Sequence, residues 1–333
     1  MKKLFFSLVA LMAATMSYAQ SSLLATLSHD GNIQTFYGAN ALQQAHAAAQ
    51  SGDVITLSEG SFNATNITKG ITIRGAGMFL NDETKTYQTQ LLGNFDINIA
   101  DSTAQFTLEG IWYDGSINNK GFLKNPNFLK CRLKQLSLAY SSGQTAVNAT
   151  LIHCRVGYLY LVTGVSSIQC FNCHLSEVEM YDLNQRGVFE NCIIGVKNLS
   201  DNGRYIKYSI LRNCIFYRNN TFSSSNSLFN CYFMESTGMQ SGTPNIGCRT
   251  GLAYSYVFKT FTGAPFSDNS NFELTDEAAT KLLGTDGTQA GIYGGNMPYS
   301  PVPTSPQITK CNVAAKSTVD GKLSVDITVK GAE

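Results

Sequence analysis

Phe128-Leu-Lys-Cys131, Leu151-Ile-His-Cys154, Cys170-Phe-Asn-Cys173, Phe189-Glu-Asn-Cys192, Leu211-Arg-Asn-Cys214 and Leu228-Phe-Asn-Cys231 are six versions of one short phrase. In each, a cysteine closes an apolar segment, and the steps from one cysteine to the next are 23, 19, 19, 22 and 17 residues. That interval is too irregular for an array of helical hairpins and suits a solenoid whose turns differ in their loops. Strands of a sandwich would recur faster, about every 8–12 residues. The chain therefore reads as a coil of short strands, one phrase to a turn.

Four of the phrases place Asn directly before Cys, at Asn172, Asn191, Asn213 and Asn230, and apolar residues such as Leu133, Val156 and Leu175 stand two positions after it. A regular solenoid stacks equivalent residues, so one side-chain amide can hydrogen-bond the next at a bend where backbone groups would otherwise go unpaired. The expectation is a ladder of Asn beside a ladder of Cys. Neighbours in such a ladder are about 4.8 Å apart with parallel Cβ vectors, whereas a disulfide prefers Cβ atoms about 3.8 Å apart. Most of the nine cysteines should therefore be buried thiols acting as small hydrophobes. Cys170-x-x-Cys173 lacks a second Cys pair or a His pair at ligand spacing, so no metal site and no cofactor are expected.

The first nineteen residues carry Lys2-Lys3, an apolar run from Leu4 to Met16, and Ser17-Tyr18-Ala19 before Gln20, the pattern of a secretory signal. An exported product is expected, in the periplasm, on the cell surface or outside the cell. No later apolar run approaches the roughly 18 residues needed to span a bilayer. Loss of Lys2 and Lys3 takes the formal charge from +1 to −1, and charged residues are 14% of the chain. That balance gives no electrostatic case for nucleic acid or an anionic membrane as partner. The division expected is a signal at 1–19, a coiled body at 20–262, a cap and linker at 263–306 and a β-hairpin tail at 307–333.

Ala39 to Gln50 is alanine-rich, with Leu42, Ala45, Ala48 and Ala49 on one face of a helix, and Asp53-Val-Ile-Thr-Leu57 then alternates as a strand. A helix before the first coil would cover the open end of a solenoid core. Near the other end, Thr275 is a plausible N-cap with Asp276 and Glu277 in the first turn of a short helix. A Gly-rich stretch from Gly284 to Gly295 and prolines at 298, 301, 303 and 306 follow, without the Lys or the strand context of a phosphate loop. Gln307 to Val329 reads as two strands about Asp320-Gly321.

Ala41-Leu-x-x-Ala, Gly52-Asp-Val-Ile-x-Leu57-x-x-Gly60-x-Phe62, Ile67-x-Lys-Gly-Ile-Thr-Ile-Arg-Gly-Ala-Gly77 and Phe106-Thr-Leu-Glu-Gly-Ile111 occur in that order. This run resembles the N-terminal cap and first coils of secreted right-handed parallel β-helix proteins of the pectate-lyase-like superfamily. With the Asn-Cys coils, the resemblance covers roughly residues 31–260. It implies an all-β fold, a right-handed parallel β-helix with an N-terminal helical cap and a small β-rich C-terminal closure. The superfamily includes lyases, hydrolases, epimerases, tailspikes and adhesins, so the resemblance implies no single activity. Neither the clustered Asp set and catalytic Arg of the calcium-dependent pectate lyases nor the Asp-Asp motif of the polygalacturonases is found in this sequence.

Alignment of the coils on their Cys gives a map of the outward surface. Residues at plus two, plus five and plus seven are apolar, whereas Gln135 and Ser137, Tyr158 and Tyr160, and Glu177 and Glu179 fall at plus four and plus six and should face solvent. Residues i and i+2 on one strand face are about 6.5–7 Å apart, inside the roughly 5–9.5 Å that paired carboxyls of glycoside hydrolysis use. Exposed tyrosines supply flat faces for sugar rings. Arg132, Arg155 and His174 form a further column just after the Cys, suited to the anionic groups of a uronic-acid polymer. The expected role is binding of extracellular or envelope polysaccharide by Tyr158, Tyr160, Arg132, Arg155 and His174. Two alternatives stand beside it: a polysaccharide hydrolase or lyase with Glu177 and Glu179 catalytic, and a structural or adhesive protein on which these residues only keep the sheet soluble. If Ile71–Arg74 stacks on Phe106–Glu109, Arg74 and Glu109 should also meet, as an exposed ion pair.

Overall fold

A computed structural model describes residues 23–101, 103–139, 145–161, 164–180, 186–195, 206–218, 225–234, 243–263, 270–313, 320–322 and 324–330. The secretory signal expected at 1–19 lies outside the described residues. Two long sheets carry the molecule. The first has twelve strands: an antiparallel hairpin, Leu24–His29 with Asn32–Tyr37, followed by parallel strands stacked from Val54–Leu57 to Asn245–Ile246. The second has ten, from Gly60–Asn63 to Tyr232–Phe233. From Thr107–Glu109 onward each coil runs one strand in the first sheet, turns about a single left-handed residue, and runs the next strand in the second. Over part of the length a third side is made by Phe122–Lys124 paired with Thr145–Val147. The chain is a parallel β-solenoid.

The inward columns are those that the period of two predicts. Leu108, Phe128, Leu151, Cys170, Phe189, Leu211 and Leu228 pair in register in the first sheet, and all are fully buried. Leu133, Val156, Leu175, Ile194 and Phe216 do the same in the second. Stacked equivalents bury one another and leave only the two ends of the core to be closed. The helix Ala41–Ala48 packs against the N-terminal hairpin and the first coil, with Ala41, Leu42 and Ala45 buried.

The bend between the sheets explains the Asn-Cys phrase. Gly110, Lys130, His153, Asn172, Asn191, Asn213, Asn230 and Gly247 stack there, all with φ between 48° and 69°. Left-handed backbone costs most residues about 1–2 kcal/mol, and Asn and Gly bear it best. Each bend N–H donates to the carbonyl just before the next bend: Lys130 to Ile152 at 2.8 Å, Asn172 to Glu190 at 3.0 Å and Asn230 to Ile246 at 2.8 Å. The expected amide-to-amide ladder is not the arrangement found. Main chain already joins successive bends, and the amide side chains reach outward to a different partner.

That partner is the Gly- and Pro-rich stretch, which runs back along the body as a strap. As the coils are followed from Asn230 toward Glu109, the strap residues they hold rise in number. Asn230 Nδ2 donates to Leu283 O at 2.9 Å, and Asn213 Oδ1 accepts from Thr285 N at 2.8 Å. Asn172 Nδ2 donates to Ile292 O and Gly294 O, both at 2.8 Å. His153 Nε2 lies 3.0 Å from Met297 O, and Lys130 Nζ donates to Val302 O at 2.5 Å. Glu109 Oε1 accepts from Thr304 N at 2.6 Å. Arg74 stands in register with Glu109 as expected, 3.4 Å from Nε to Oε2, but Glu109 is buried, so the pair is not the exposed one foreseen.

The cysteine after each bend points inward. Cys173 Sγ donates to Leu151 O in the preceding coil at 3.5 Å and to Phe171 O at 3.2 Å, and the pattern repeats from Cys131 to Cys231. These thiols are free and buried. Burial pushes those of Cys131, Cys173 and Cys214 well up. Near the C-terminus, Thr275 caps the helix Asp276–Lys281 by accepting from Ala278 N at 3.1 Å. Gln307–Val313 and Val325–Lys330 form the expected hairpin.

Candidate functional site

The strands Arg155–Leu161 and His174–Met180 bring the predicted residues together in register: Arg155 beside His174, Tyr158 beside Glu177 and Tyr160 beside Glu179. Gln135 and Ser137 pair with Tyr158 and Tyr160 on the other side. Alternation shifts by one within each strand, since Arg155 points out and Val156 in, yet Tyr158 points out and Leu159 in. The shift falls at Gly157, where a Cβ would stand 2.6 Å from Lys134 O. Two outward rows result, one before that step and one after it.

The later row holds the tyrosines and glutamates. Tyr158 and Tyr160 are half-buried, and their rings stack with centroids 5.7 Å apart and planes 25° apart. Glu177 beside them is half-buried. Solvent reaches less of this row than the alternation suggests, because Glu179 is only 4% exposed and Ser137 is fully covered. Glu177 and Glu179 share one strand face, with Cα atoms about 6.5–7 Å apart by strand geometry.

The earlier row is closed. Arg132 stacks over Trp112, 4.5 Å from the ring centroid, and faces Phe79 at 5.7 Å. Arg155 is 7% exposed, donates from Nε to Tyr299 Oη at 3.2 Å, and lies 5.1–5.6 Å from the rings of Phe79, Phe272 and Tyr299. His174 is fully buried, 3.3 Å from Tyr217 Oη and 4.3 Å from the Phe272 ring centroid. Burial, helped by Arg155, holds His174 well below its usual range, so it is neutral. Burial also pushes the Tyr217 hydroxyl up to about 12.

This row lies beneath a second apolar cluster that joins the outer face of the sheet to Met78, Phe258, Phe261, Phe272 and Tyr299. The open column of cations expected for a uronic-acid polymer is therefore not present. Its cover comes from residues distant in the chain, Phe79, Phe272 and Tyr299 being 76, 117 and 144 positions from Arg155, for which the local pattern around Arg155 and His174 carries no signal. Phe272 and Tyr299 are the residues that sequence reasoning missed.

Two open depressions of about 390 and 400 Å³ lie elsewhere, one lined by Gly70, Thr72, Asp101 and Thr107, the other by Asn63, Thr65, Asn66 and Asn94. Neither borders the predicted residues. Among the described residues, no group of three His, Cys, Asp or Glu side chains could hold a metal ion. No family model matches the chain, and no curated protein matches it.

Proposed function

We propose that this protein is exported and engages extracellular or envelope polysaccharide on the outer face of the second sheet, at Tyr158 and Tyr160. One observation carries the reading: two stacked tyrosine rings, held in register beside Glu177 and Glu179 on a rigid solenoid face. Aromatic faces suit the apolar side of a sugar ring, and the half-buried Glu177 beside them can accept hydrogen bonds from its hydroxyls. The nineteen-residue leader supports export, and the order of the cap helix, first strand and Gly-Ala-Gly turn supports kinship with the pectate-lyase-like superfamily. Arg132, Arg155 and His174 are not assigned to the ligand in this reading, since two of the three are buried.

A second reading is favoured by the spacing of Glu177 and Glu179, which fits a carboxyl pair cleaving a glycosidic bond. The test is incubation of residues 20–333 with acidic and neutral polysaccharides, following retention on the polymer together with new reducing ends or unsaturated products. Retention without cleavage, lost in Tyr158→Ala and Tyr160→Ala, supports a binding module. Turnover that disappears in Glu177→Gln while retention persists establishes an enzyme. Neither retention nor turnover on any polymer leaves a structural or adhesive role and removes both glycan readings.

A further inference from the structure

Arg155 is a buried cation whose charge nothing among the described residues balances. Its Nε is satisfied by Tyr299 Oη, but Nη1 is buried with no hydrogen-bond partner, and no carboxylate forms an ion pair with it. The ionisable groups around it do not supply a negative charge. Tyr293 and Tyr299 are held protonated by burial, His174 is neutral, and the Glu273 carboxylate lies 3.9 Å from Lys259 Nζ. Three aromatic rings within 5.1–5.6 Å offset part of the charge through their quadrupoles. They cannot accept the N–H of Nη1 in its own plane, and an uncompensated buried guanidinium is costly.

The position also sits at a seam. His153 Nδ1, Asn191 Oδ1 and Asn213 Nδ2, on bends that the strap crosses, are likewise buried without partners. Unpaired polar atoms are rare inside folded proteins, and several along one interface mark where a polar guest fits.

We infer that Arg155 Nη1 is the anchor of an anion-binding site between the second sheet and the C-terminal strap, taking one small monoanion, a halide or a single carboxylate group. The aromatic walls of Phe79, Phe272 and Tyr299 exclude water from the pair and favour a compact, weakly hydrated anion. The Arg fork supplies the directed donor that an ammonium would lack.

The experiment follows thermal unfolding of residues 20–333 in low-ionic-strength buffer while sodium chloride, bromide, acetate or glucuronate is added, beside neutral glucose. The wild type is expected to gain roughly 3–6 °C across a hundred-fold rise of the preferred anion. Chloride and bromide acting alone identify a halide site, and acetate and glucuronate acting alone a carboxylate site. Arg155→Met, similar in length and uncharged, should abolish the anion-specific gain, whereas Arg132→Met should keep it. Should Arg155→Met not fold, Arg155→Lys serves, with the concentration giving the half-maximal gain expected to rise about ten-fold. A gain equal for all salts, no gain at all, persistence of the gain in Arg155→Met, or an unshifted half-maximal concentration in Arg155→Lys would each overturn the site.

Discussion

At the scale of the residue, Asn172 performs two tasks that separate substitutions can divide. Its backbone takes the left-handed bend at φ 49°, and its amide holds the strap through Ile292 and Gly294. Asn172→Gly keeps the bend and loses both hydrogen bonds; Asn172→Ala loses the bonds and adds backbone strain. The expected cost is about 1–3 kcal/mol for Gly and about 2–4 kcal/mol for Ala, read from denaturant midpoints. Proteolysis within residues 283–304 should speed up in both variants, because the amide rather than the bend secures the strap. A variant of Asn172 that loosened the body while leaving the strap protected would contradict this division.

At the scale of the element, the cysteine column and the strap have different consequences. The seven thiols from Cys131 to Cys231 point inward and are fully buried, so a thiol reagent such as DTNB should leave them untouched in the native protein and label all of them after unfolding. Cys248, partly exposed at the end of the column, is the described cysteine expected to react slowly in the native state. The strap is read mostly by side chains that hold its main chain, with Tyr299 and Thr304 also held by their hydroxyls. A Gly- and Pro-rich sequence therefore serves there, since it needs to follow the surface without adding a strand of its own.

At the scale of the whole molecule, the N-terminal end has a titratable clasp. His29 Nδ1 lies 2.6 Å from Asp53 Oδ1, and Asp53 Oδ2 accepts from Gln50 N at 2.7 Å, tying the outer hairpin to the turn after the helix. The hydrogen bond and charge of Asp53 raise the pKa of His29 above 6.5. Burial works to raise the pKa of Asp53, yet the bonds from Gln50 and His29 outweigh it and lower the value overall. Because the folded pKa of His29 is the higher one, its contribution is full below pH 6.5 and is lost as pH rises through the raised value. The contribution of Asp53 is full above the usual carboxylate range and fades as pH falls. Unfolding midpoints should therefore decline on the alkaline side in the wild type, and that decline should be absent in His29→Gln. Equal alkaline slopes for the two proteins would remove the clasp.

The chain by itself determined the coil. Repetition of Asn before Cys, apolar residues at alternate positions and an alanine-rich helix ahead of the first coil are local patterns, and strand period and bend chemistry act within a few residues of each. Register followed from them as well, which is why Arg74 with Glu109, and Tyr158 and Tyr160 with Glu177 and Glu179, were legible as neighbours before any coordinate. Exposure was not. Whether Arg155 and His174 meet solvent depends on Phe272, which precedes the short C-terminal helix, and on Tyr299 of the strap, both brought over the sheet by a segment that no periodicity announces. Outward on a strand is decided by the alternation of the backbone, but open to a ligand is decided by what else in the molecule packs there, and only the tertiary structure holds that information.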